Sequence, residues 1–583
     1  MTQTKFDDEV DVLIIGAGSG GFTAALAAHA RGLRTLIVEK APWYGGSTSL
    51  SGGGIWVPGA PAQTRMGHNP DPDGTFRYLK EITEGLVSDE RLQAYVDEAP
   101  RMLEFLENLD PDLQFVWKPG YPDYYPNLPD GSELGSTINV PPVDLRSLGD
   151  DVDQLHPPLA VTPRGMWIGP TELPDFYRLR QTWAGKRLFV KLIWRMVRAR
   201  LTGERVTTIG QALMARLMLA LRKRDIQLWL ESPMTSLITE DGQVIGALVE
   251  RGGRAVRVRA RGGVVIAAGG FDHNAVMRKI WQPTARADLS LGTKTNTGDG
   301  ITAAVEAGAA LDLMDSAWWF PAVEWGPGKI QFSLNERMLP SQLIVNGVGE
   351  RWINEAAPYE DFGFEMIAKH EAGVPHIPSW YITDDWSWRR YVIFGHLPIL
   401  RIPFAPAPTG RRLPKAWRQS DAMHSAQSLP ELAAKIGVPQ DNLEQTVERY
   451  NRDAATGVDT QFHRGESSYD HYYGDITLSN PSLAPLHGGP YYAFRISLSD
   501  LGTNGGVVTD EFGRALGEDR KPIDGLYATG NAAASVMGRS YAGAGSTIGP
   551  SMTFGYIAAQ HIADRTSGRA TTEAPAVRSG RDD

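Results

Sequence analysis

Residues 10–40 read "VDVLIIGAGSGGFTAALAAHARGLRTLIVEK", and this stretch decides the fold. The run "VDVLII" is short, apolar and rich in β-branched residues, which predicts a buried parallel strand. The alanine-rich stretch after the glycines predicts a helix, and "RTLIVEK" at 34–40 predicts a second strand. Strand, helix and strand together take about thirty residues, the usual size of a βαβ unit. The sequence therefore predicts an α/β domain with a parallel sheet.

The glycines between the first strand and the helix have a regular spacing. Gly16, Gly18 and Gly21 form the pattern G-x-G-x-x-G. In such a turn the first glycine makes the bend, the second lets the backbone approach a pyrophosphate, and the third lets the helix pack on the strand. Glu39 ends the second strand about twenty residues later, where a carboxylate can accept hydrogen bonds from ribose hydroxyls. This combination predicts a Rossmann-like dinucleotide site.

Further glycine-rich segments lie at 45–54, 268–270 and 525–531. The first belongs to a stretch, 45–59, that is too rich in Gly and Ser for a helix or strand interior and predicts a loop against a ligand. An NAD domain would be continuous, whereas four separated segments suit the longer FAD molecule. The remaining candidate cofactor-binding residues are Lys40, Gly45, Gly46, Ser47, Thr48, Ser51, Gly53, Ala268, Gly269, Asn274, Asp299, Gly530, Asn531, Thr547 and Ile548.

The chain has 583 residues, too many for one ordinary hydrophobic core. Its composition changes near residue 316, where aromatic residues and prolines become frequent. After residue 493 the sequence again shows strand-like runs followed by glycines. The simplest architecture is a Rossmann-like FAD-binding domain split into 1–315 and 494–583. An α+β catalytic domain at 316–493 is then inserted between the two parts.

Composition limits the partners and the compartment. The net charge of −10 argues against nucleic acid as the main partner, which usually demands a basic surface. The absence of cysteine excludes disulfides, thiolate catalysis and cysteine-bound metals, and fits a reducing cytosol. The histidines show no ligand spacing, so no metal site is predicted. With neither a signal peptide nor an apolar run of eighteen residues, the expected location is cytoplasmic.

The segments "DVLIIGAGSGGFTAALAA", "LIVEKAPWYGGSTSLSGGGIW" and those that follow resemble the succinate dehydrogenase/fumarate reductase flavoprotein superfamily. Within it, the chain is similar to the 3-ketosteroid Δ1-dehydrogenases over roughly residues 8–565. The resemblance implies FAD as cofactor and a 3-ketosteroid as substrate, in steroid degradation. It also implies non-covalent FAD, because Ser and Thr occupy the loop where some relatives carry a tethering histidine.

The resemblance places the catalytic roles on three tyrosines and a glycine. "SYAGAG" supplies Tyr541 and Gly545, whose hydroxyl and N–H would donate to the steroid C3 carbonyl oxygen. "NEAAPY" supplies Tyr359 as the base for the C2 proton, and "PDYY" supplies Tyr124 as its hydrogen-bond partner. Polarising the ketone acidifies the neighbouring carbon, and the C1 hydrogen would leave as hydride to FAD. A phenol with an ordinary pKa near 10 needs stabilisation to act as a base at neutral pH.

Other functions stay open. A 3-ketosteroid Δ4-(5α)-dehydrogenase shares the ligand class, although the Tyr359 and Tyr124 pair favours the Δ1 reaction. A fumarate reductase needs Arg and His for a dicarboxylate; we expect His273, in "FDHNA", to be structural instead. The third alternative is a membrane-docked flavin-binding module without turnover. No second dinucleotide site is apparent, so a quinone or another non-nicotinamide molecule is the expected electron acceptor.

Residues 176–203, "FYRLRQTWAGKRLFVKLIWRMVRARLTG", contain eight Lys or Arg and no Asp or Glu. Their apolar residues recur at helical spacing, and two tryptophans accompany them. A basic amphipathic helix of this kind fits either a membrane surface, here the inner face of the cell membrane, or a helix packed on its own domain with a solvated basic face. Both interpretations stay open from the sequence.

Overall fold

The chain folds around two large β-sheets, and the computed structural model describes residues 5–159, 163–326, 328–398 and 415–568. Residues 1–4 and 569–583 of the predicted cofactor domain lie outside the described residues. The strands are β1 Asp8–Ile15, β2 Thr35–Val38, β3 Ile55–Trp56, β4 Val116–Trp117, β5 Thr137–Asn139, β6 Val143–Asp144, β7 Val206–Thr207, β8 Gln227–Trp229, β9 Met234–Glu240, β10 Gln243–Arg251, β11 Arg254–Ile266, β12 Leu311–Asp312, β13 Ala317–Gly326, β14 Lys329–Phe332, β15 Gln342–Val345, β16 Ser379–Asp384, β17 Met423–Ala426, β18 Tyr491–Thr503, β19 Gly506–Val507, β20 Arg514–Leu516 and β21 Pro522–Ala528.

The helices join these strands and cover both sheets. They are α1 Ser19–Ala30, α2 Gly46–Leu50, α3 Pro61–Thr64, α4 Pro72–Thr83, α5 Asp89–Leu109, α6 Leu173–Tyr177, α7 Trp183–Thr202, α8 Ile209–Arg222, α9 Ala275–Trp281, α10 Asp299–Glu306, α11 Tyr359–Glu371, α12 Asp385–Arg390, α13 Lys415–Arg418, α14 Leu429–Ile436, α15 Gln440–Thr456, α16 Ser468–His471 and α17 Ile548–Thr566. Short 3₁₀ turns lie between them, among them Asn335–Met338. Within the described residues, no helix is both long enough and apolar enough to cross a membrane.

The first sheet has β1 near its centre, paired in parallel with β2 on one side and β11 on the other. β8 extends it in parallel beyond β2, and β21 pairs in parallel with β11. The residues of β1 from Val12 to Ile15 are buried because helices cover both faces of the sheet. α1 packs against α17, so the N-terminal and C-terminal parts of the chain are in contact. The predicted α/β class is confirmed.

The second sheet is antiparallel, in the order β14, β13, β18, β16, β15, with β17 beside β18. Its strands come from residues 317–503, and α11 packs against β13. The predicted boundary at residue 494 falls inside β18, which pairs with β13 as far as Thr503. The division into two domains stays a prediction, and the strand pairing favours a second boundary after residue 503.

The segment 45–59 is not a continuous loop as predicted, because it contains α2 and β3. Gly45 has φ of +111°, and a Cβ there would lie 2.0 Å from Ser49 Oγ. This glycine therefore makes the tight bend from which the single turn of α2 can begin. A five-residue helix rich in Gly, Ser and Thr has too little length and apolar periodicity to be recognised from the sequence.

Candidate active site

One cavity between the two sheets is lined both by the predicted cofactor-binding residues and by the predicted catalytic tyrosines. We call it the central cavity. The candidate cofactor-binding residues that line it are Gly16, Gly18, Glu39, Lys40, Gly46, Ser47, Thr48, Ser51, Gly53, Ala268, Gly269, Asp299, Gly530, Asn531, Thr547 and Ile548. Residues more than 500 positions apart in the sequence therefore meet at one surface.

The part of the cavity wall formed by β1, α1 and the end of β2 has the geometry of a dinucleotide-binding site. Gly16 has φ of +111°, and a Cβ there would lie 2.3 Å from the Ala267 carbonyl oxygen. A Cβ at Gly18 would meet no atom within 4 Å, so the backbone there is open to a ligand at the N-terminus of α1. The Glu39 carboxylate accepts hydrogen bonds from the N–H groups of Ala17 (3.0 Å) and Ala41 (2.9 Å), which fixes it at the cavity wall. These residues fit the phosphates and ribose of FAD.

Two other contacts connect the separated segments. Lys40 donates hydrogen bonds to Thr297 and to Asp299, so the strand after α1 is joined to the start of α10. Ser47 Oγ accepts hydrogen bonds from the Thr293 N–H and the Asn296 side chain, both at 3.1 Å. The cavity wall is thus held by side chains that also line it.

Three of the candidate cofactor-binding residues do not line the central cavity. A Cβ at Gly21 would lie 2.2 Å from the Gly16 carbonyl oxygen, so this glycine allows the helix to pack. Gly45 forms the bend before α2. Asn274 Oδ1 accepts hydrogen bonds from the N–H groups of Val276 and Met277, so its side chain caps α9.

The three candidate tyrosines form one buried cluster. Tyr124, Tyr359 and Tyr541 are each at most 4% exposed, and all three line the central cavity. The ring centroid of Tyr359 lies 5.0 Å from that of Tyr541 and 5.4 Å from that of Tyr124. The centroids of Tyr124 and Tyr541 are 5.3 Å apart. The Trp318 ring packs edge-on against Tyr541, and the Phe320 ring packs against Tyr359 at an interplanar angle of 48°. Three phenols from distant segments therefore share one apolar site.

Each tyrosine is positioned by the backbone around it. The Tyr124 N–H donates to the Ala542 carbonyl at 3.0 Å, which attaches the proline-rich loop to the glycine-rich run containing Tyr541. Tyr359 is the first residue of α11, directly after Pro358, whose fixed φ stiffens the entry to the helix. The Ala542 carbonyl also accepts from the Tyr78 hydroxyl at 2.8 Å. The relative positions of the phenols are thus set by hydrogen-bonded backbone.

Gly545 lies where only glycine fits. Its φ is +103°, and a Cβ would come within 2.5 Å of the Gly54 carbonyl. Burial raises the pKa of Tyr541, whereas the neighbouring Tyr359 hydroxyl, the Thr547 hydroxyl and the Gly545 N–H lower it. The Tyr541 hydroxyl and the Gly545 N–H are therefore close together at the cavity wall.

Burial dominates the acid–base properties of the other two candidates. It raises the pKa of Tyr359 well above its ordinary value, and a Tyr541 anion would raise it further, whereas the Tyr124 hydroxyl opposes the shift. Burial likewise raises the pKa of Tyr124, beside the phenols of Tyr121 and Tyr469. Ionising any phenol in this cluster therefore needs a compensating hydrogen bond or positive charge.

Sequence reasoning missed much of the far end of the cavity. The additional residues there are mainly aromatic or aliphatic: Tyr121, Leu173, Phe332, Leu334, Tyr472 and Tyr473. Tyr121 stacks on Tyr472 with ring centroids 4.1 Å apart. The ring centroid of Tyr469, another residue that the sequence did not indicate, lies 4.6 Å from that of Tyr124. The sequence signal was the density of tyrosines at 121–125 and 469–473, which marks aromatic clusters without showing that they meet.

Comparison with known proteins agrees with this geometry. The family described as FAD binding domain matches residues 11–548. A 3-oxosteroid 1-dehydrogenase of Mycobacterium tuberculosis is 41% identical over 96% of this chain and 99% of its own length. A 4-oxocyclohex-2-ene-1-carboxylate 5-dehydrogenase of Sinomonas cyclohexanicum is 34% identical over 96% of this chain and 94% of its own length.

A solved structure extends the comparison to the fold. The 3-ketosteroid Δ1-dehydrogenase of Sterolibacterium denitrificans, in complex with 1,4-androstadiene-3,17-dione, is 36% identical. It superposes with a TM-score of 0.87, covering 96% of this chain and all of that one. The FAD cofactor predicted from the glycine-rich segments is thereby confirmed, whereas its non-covalent attachment stays a prediction. The chain belongs to the 3-oxosteroid 1-dehydrogenase family of FAD-binding flavoproteins.

Proposed function

We propose that this protein removes two hydrogens from C1 and C2 of a 3-ketosteroid and transfers two electrons to FAD. The observation that carries the proposal is the group of three buried phenols at 5.0–5.4 Å, which lines the same cavity as the dinucleotide-binding site. The rest of the far end is apolar and aromatic, as a steroid requires. FAD, when bound, supplies the acceptor for the hydride that leaves C1.

Tyr541 and Gly545 are proposed to hold the C3 ketone oxygen. The hydroxyl and the N–H are neighbours at the cavity wall, and both are donors. As the C2 proton leaves, negative charge develops on the ketone oxygen, and donors already in place stabilise it without reorganisation. A side chain at position 545 would collide with Gly54, so the open approach to this N–H depends on glycine.

Tyr359 is proposed to take the C2 proton. Its ring contacts both Tyr541 and Tyr124, so the base lies beside the group that polarises the ketone. Tyr124 is proposed to donate a hydrogen bond to the Tyr359 oxygen when that oxygen is anionic. The C1–C2 double bond forms as the proton leaves C2 and the hydride leaves C1.

Anaerobic mixing with a 3-ketosteroid tests the proposal. We expect the bound flavin to bleach in a single turnover and a product with a new C1–C2 double bond to appear. Addition of a quinone should then restore the oxidised flavin spectrum, as the proposed acceptor requires, whereas NAD⁺ should not. A C4–C5 double bond in the product would identify a Δ4-(5α)-dehydrogenase, and an unbleached flavin would contradict the proposal.

A small cyclohexanone carboxylate is the appropriate competing substrate in that experiment. A buried carboxylate needs a cationic partner. Among the described residues, the cations that line the cavity are Lys40, bonded to Asp299, and Lys118, bonded to the Thr171 carbonyl. Lys118 is therefore the cation that a carboxylate could use, whereas the mainly aromatic and aliphatic lining of the far end favours a steroid. Faster bleaching by 4-oxocyclohexanecarboxylate than by a steroid would reverse this assignment.

The helix α7 supports a proposed membrane contact. Its inner face packs on the domain through Leu188, Leu192 and Ala199, and Arg195 bonds Glu172 at 2.8 and 2.9 Å. The sequence pattern had grouped its apolar residues on one face, which is wrong, because the helix has two apolar faces. The outer one is exposed and consists of Trp183, Val190, Ile193, Trp194, Val197 and Leu201.

The outer face has the composition of an interfacial helix. Lys186 and Arg198 stack over Trp183 and Trp194, and Arg187 is exposed beside them. Tryptophan with Lys or Arg is the usual combination at the boundary of headgroups and acyl chains. α6, which directly precedes α7, contributes Leu173 to the central cavity. α7 therefore packs beside a segment that lines the far end of the cavity.

Changing the outer face without touching the inner one tests the membrane contact. The double variant Trp194→Ser with Val197→Ser should reduce sedimentation with vesicles containing anionic phospholipid about tenfold, because two exposed apolar side chains are lost. The matched control is Val276→Ser with Ile280→Ser, which removes similarly exposed apolar residues from α9. Equal sedimentation of both variants and the parent would contradict the contact.

A further inference from the structure

A buried guanidinium lies behind the tyrosine cluster. Arg337, in the 3₁₀ turn Asn335–Met338, is 0% exposed. Its Nε donates to the Ser333 carbonyl at 2.7 Å, and its Nη1 donates to the carbonyls of Glu355 (2.7 Å) and Ala357 (3.0 Å). Among the described residues, no carboxylate oxygen lies within 4.0 Å of it, and Nη2 has no hydrogen-bond partner. A buried charge without an ion-pair partner is costly, so its retention calls for a reason.

Two of the three carbonyls that Arg337 holds, those of Glu355 and Ala357, belong to the turn leading into α11. Ala357 is two residues before Tyr359, and only Pro358 lies between them. Because Tyr359 is the first residue of α11, the direction of its side chain depends on this turn. Arg337 therefore fixes the backbone from which the proposed base projects.

The same guanidinium also acts on the phenols. Tyr469 has a buried hydroxyl without a hydrogen-bond partner among the described residues, and its ring lies 4.6 Å from that of Tyr124. Burial raises the pKa of Tyr469, and the positive charge of Arg337 lowers it. Among the neighbouring groups, the phenols of Tyr469 and Tyr124 would, if ionised, stabilise the buried Arg337 cation most. The positive charge of Arg337 therefore acts on the phenols of Tyr469 and Tyr124 in a buried region of low dielectric.

Of the neighbouring acids, Glu336 is the one whose negative charge stabilises this cation. Burial raises the pKa of Glu336 to about 7, and it also raises the pKa of Asp470 and of Glu360. Arg464 is the other nearby cation, and its charge is matched by Glu355 at 3.1 Å. The groups that face the Tyr124 and Tyr359 pair directly are neutral phenols: Tyr121, Tyr469 and Tyr541. Arg337 is therefore a buried cation beside the cluster whose charge is opposed by Glu336, a residue with a pKa of about 7, and which lies over the Phe362 ring at 5.0 Å.

We propose that Arg337 is a positioning residue that orients Tyr359 and supplies the positive charge that stabilises its tyrosinate. The inference rests on the proposed function, in which Tyr359 is the base. A cation in a buried site stabilises an anion far more strongly than it would in water, even through an intervening phenol. The effect passes through Tyr469 and Tyr124, so Arg337 itself touches neither substrate nor cofactor in this assignment.

The test is the pH dependence of flavin bleaching by a 3-ketosteroid under anaerobic conditions, from pH 6 to 10. In the parent protein the rate should rise with pH as the base ionises. In Arg337→Gln the pH at which the bleaching rate rises should increase by about one pH unit or more. Bleaching should then be about tenfold slower near neutral pH and return to the parental rate at high pH. Arg337→Lys keeps the positive charge, so the bleaching rate should rise at the same pH as in the parent protein, even if the rate itself is lower.

Two further variants separate charge from packing. Arg464→Lys weakens hydrogen bonds to the carbonyls of residues 337, 339 and 342, so it should slow bleaching equally at every pH, if at all. Tyr469→Phe removes the hydroxyl beside Tyr124 through which the charge of Arg337 is proposed to act, so it should increase the pH at which the bleaching rate rises, like Arg337→Gln. This variant decides the question if Arg337→Gln does not fold.

The outcomes against the proposal are distinct. A pH-independent loss in Arg337→Gln, or a bleaching rate that rises at the parental pH in Tyr469→Phe, would overturn the electrostatic role. An unchanged rate in Arg337→Gln with FAD bound would overturn both roles. A parent protein that does not bleach with any 3-ketosteroid would instead overturn the proposed function, whatever the variants do.

Discussion

Replacement of Tyr359 by phenylalanine should slow flavin bleaching by a 3-ketosteroid about 1,000-fold while FAD stays bound. A positioned general base is worth about 10²–10⁴ in rate, and an anionic phenol has no substitute at this site. The change removes one hydroxyl and leaves the ring packed on Phe320 and Tyr541. The fold should therefore tolerate it, and the loss should appear in the chemical step.

The measurement is stopped-flow absorbance of the bound flavin, with a C2-deuterated steroid alongside the ordinary one. In the parent protein, the rate should increase as the pH rises, because burial raises the pKa of Tyr359 and the deprotonated form is the active one. In Tyr359→Phe this dependence should disappear with the activity. Tyr450→Phe is the control, since its hydroxyl bonds the Ala484 carbonyl at 2.9 Å outside the central cavity. Parental bleaching by Tyr359→Phe would refute the assignment of the base.

The cofactor half of the site was largely predictable because its signals are local. Gly16, Gly18 and Glu39 lie within thirty residues of one another. The glycines are needed because the backbone must come close to its neighbours or to a ligand, and the glutamate because its carboxylate accepts hydrogen bonds. Asn274 shows the limit of such reasoning. It follows a glycine-rich strand end, but asparagine is also a favoured N-cap, and its side chain caps α9 instead of lining the cavity.

The steroid half could be predicted only through resemblance. Tyr124, Tyr359 and Tyr541 are separated by more than 180 residues each, and nothing in their local sequence shows that they meet. Their contact results from the attachment of the loop at 124 to the Ala542 carbonyl and from the packing of α11 on β13. Tyr469 and Arg337 were not predicted for the same reason, because the burial of a side chain is a property of the folded chain.

The outer face of α7 illustrates a different limit. Spacing of apolar residues predicted an amphipathic helix, but α7 has apolar residues on two opposite sides, and the period alone does not show which of them faces the protein. The position of Arg195 decides it, because this arginine bonds Glu172 and lies over the Trp167 ring on the inner side. A basic residue therefore marks the packed face, and the tryptophans at 183 and 194 mark the exposed one.

Replacement of Tyr541 by phenylalanine should lower the rate of flavin bleaching about 10²–10³-fold, the usual cost of one oxyanion-hole donor. The Gly545 N–H would remain as the second donor, so some activity should persist. Because the donor matters most when charge has developed on the ketone oxygen, the loss should fall mainly on the bleaching rate and little on the Kd of the steroid. The ring itself keeps its packing on Trp318.

The pH dependence distinguishes this variant from Tyr359→Phe. With the base intact, Tyr541→Phe should retain a rate that increases with pH. The matched control is Tyr78→Phe, whose hydroxyl donates to the Ala542 carbonyl at 2.8 Å in the same glycine-rich run. It removes a structural hydrogen bond worth about 1 kcal/mol and should keep the rate within a few-fold. Equal losses in Tyr541→Phe and Tyr78→Phe would mean that Tyr541 acts by supporting the backbone, whereas a loss confined to Tyr541→Phe is what an oxyanion donor requires.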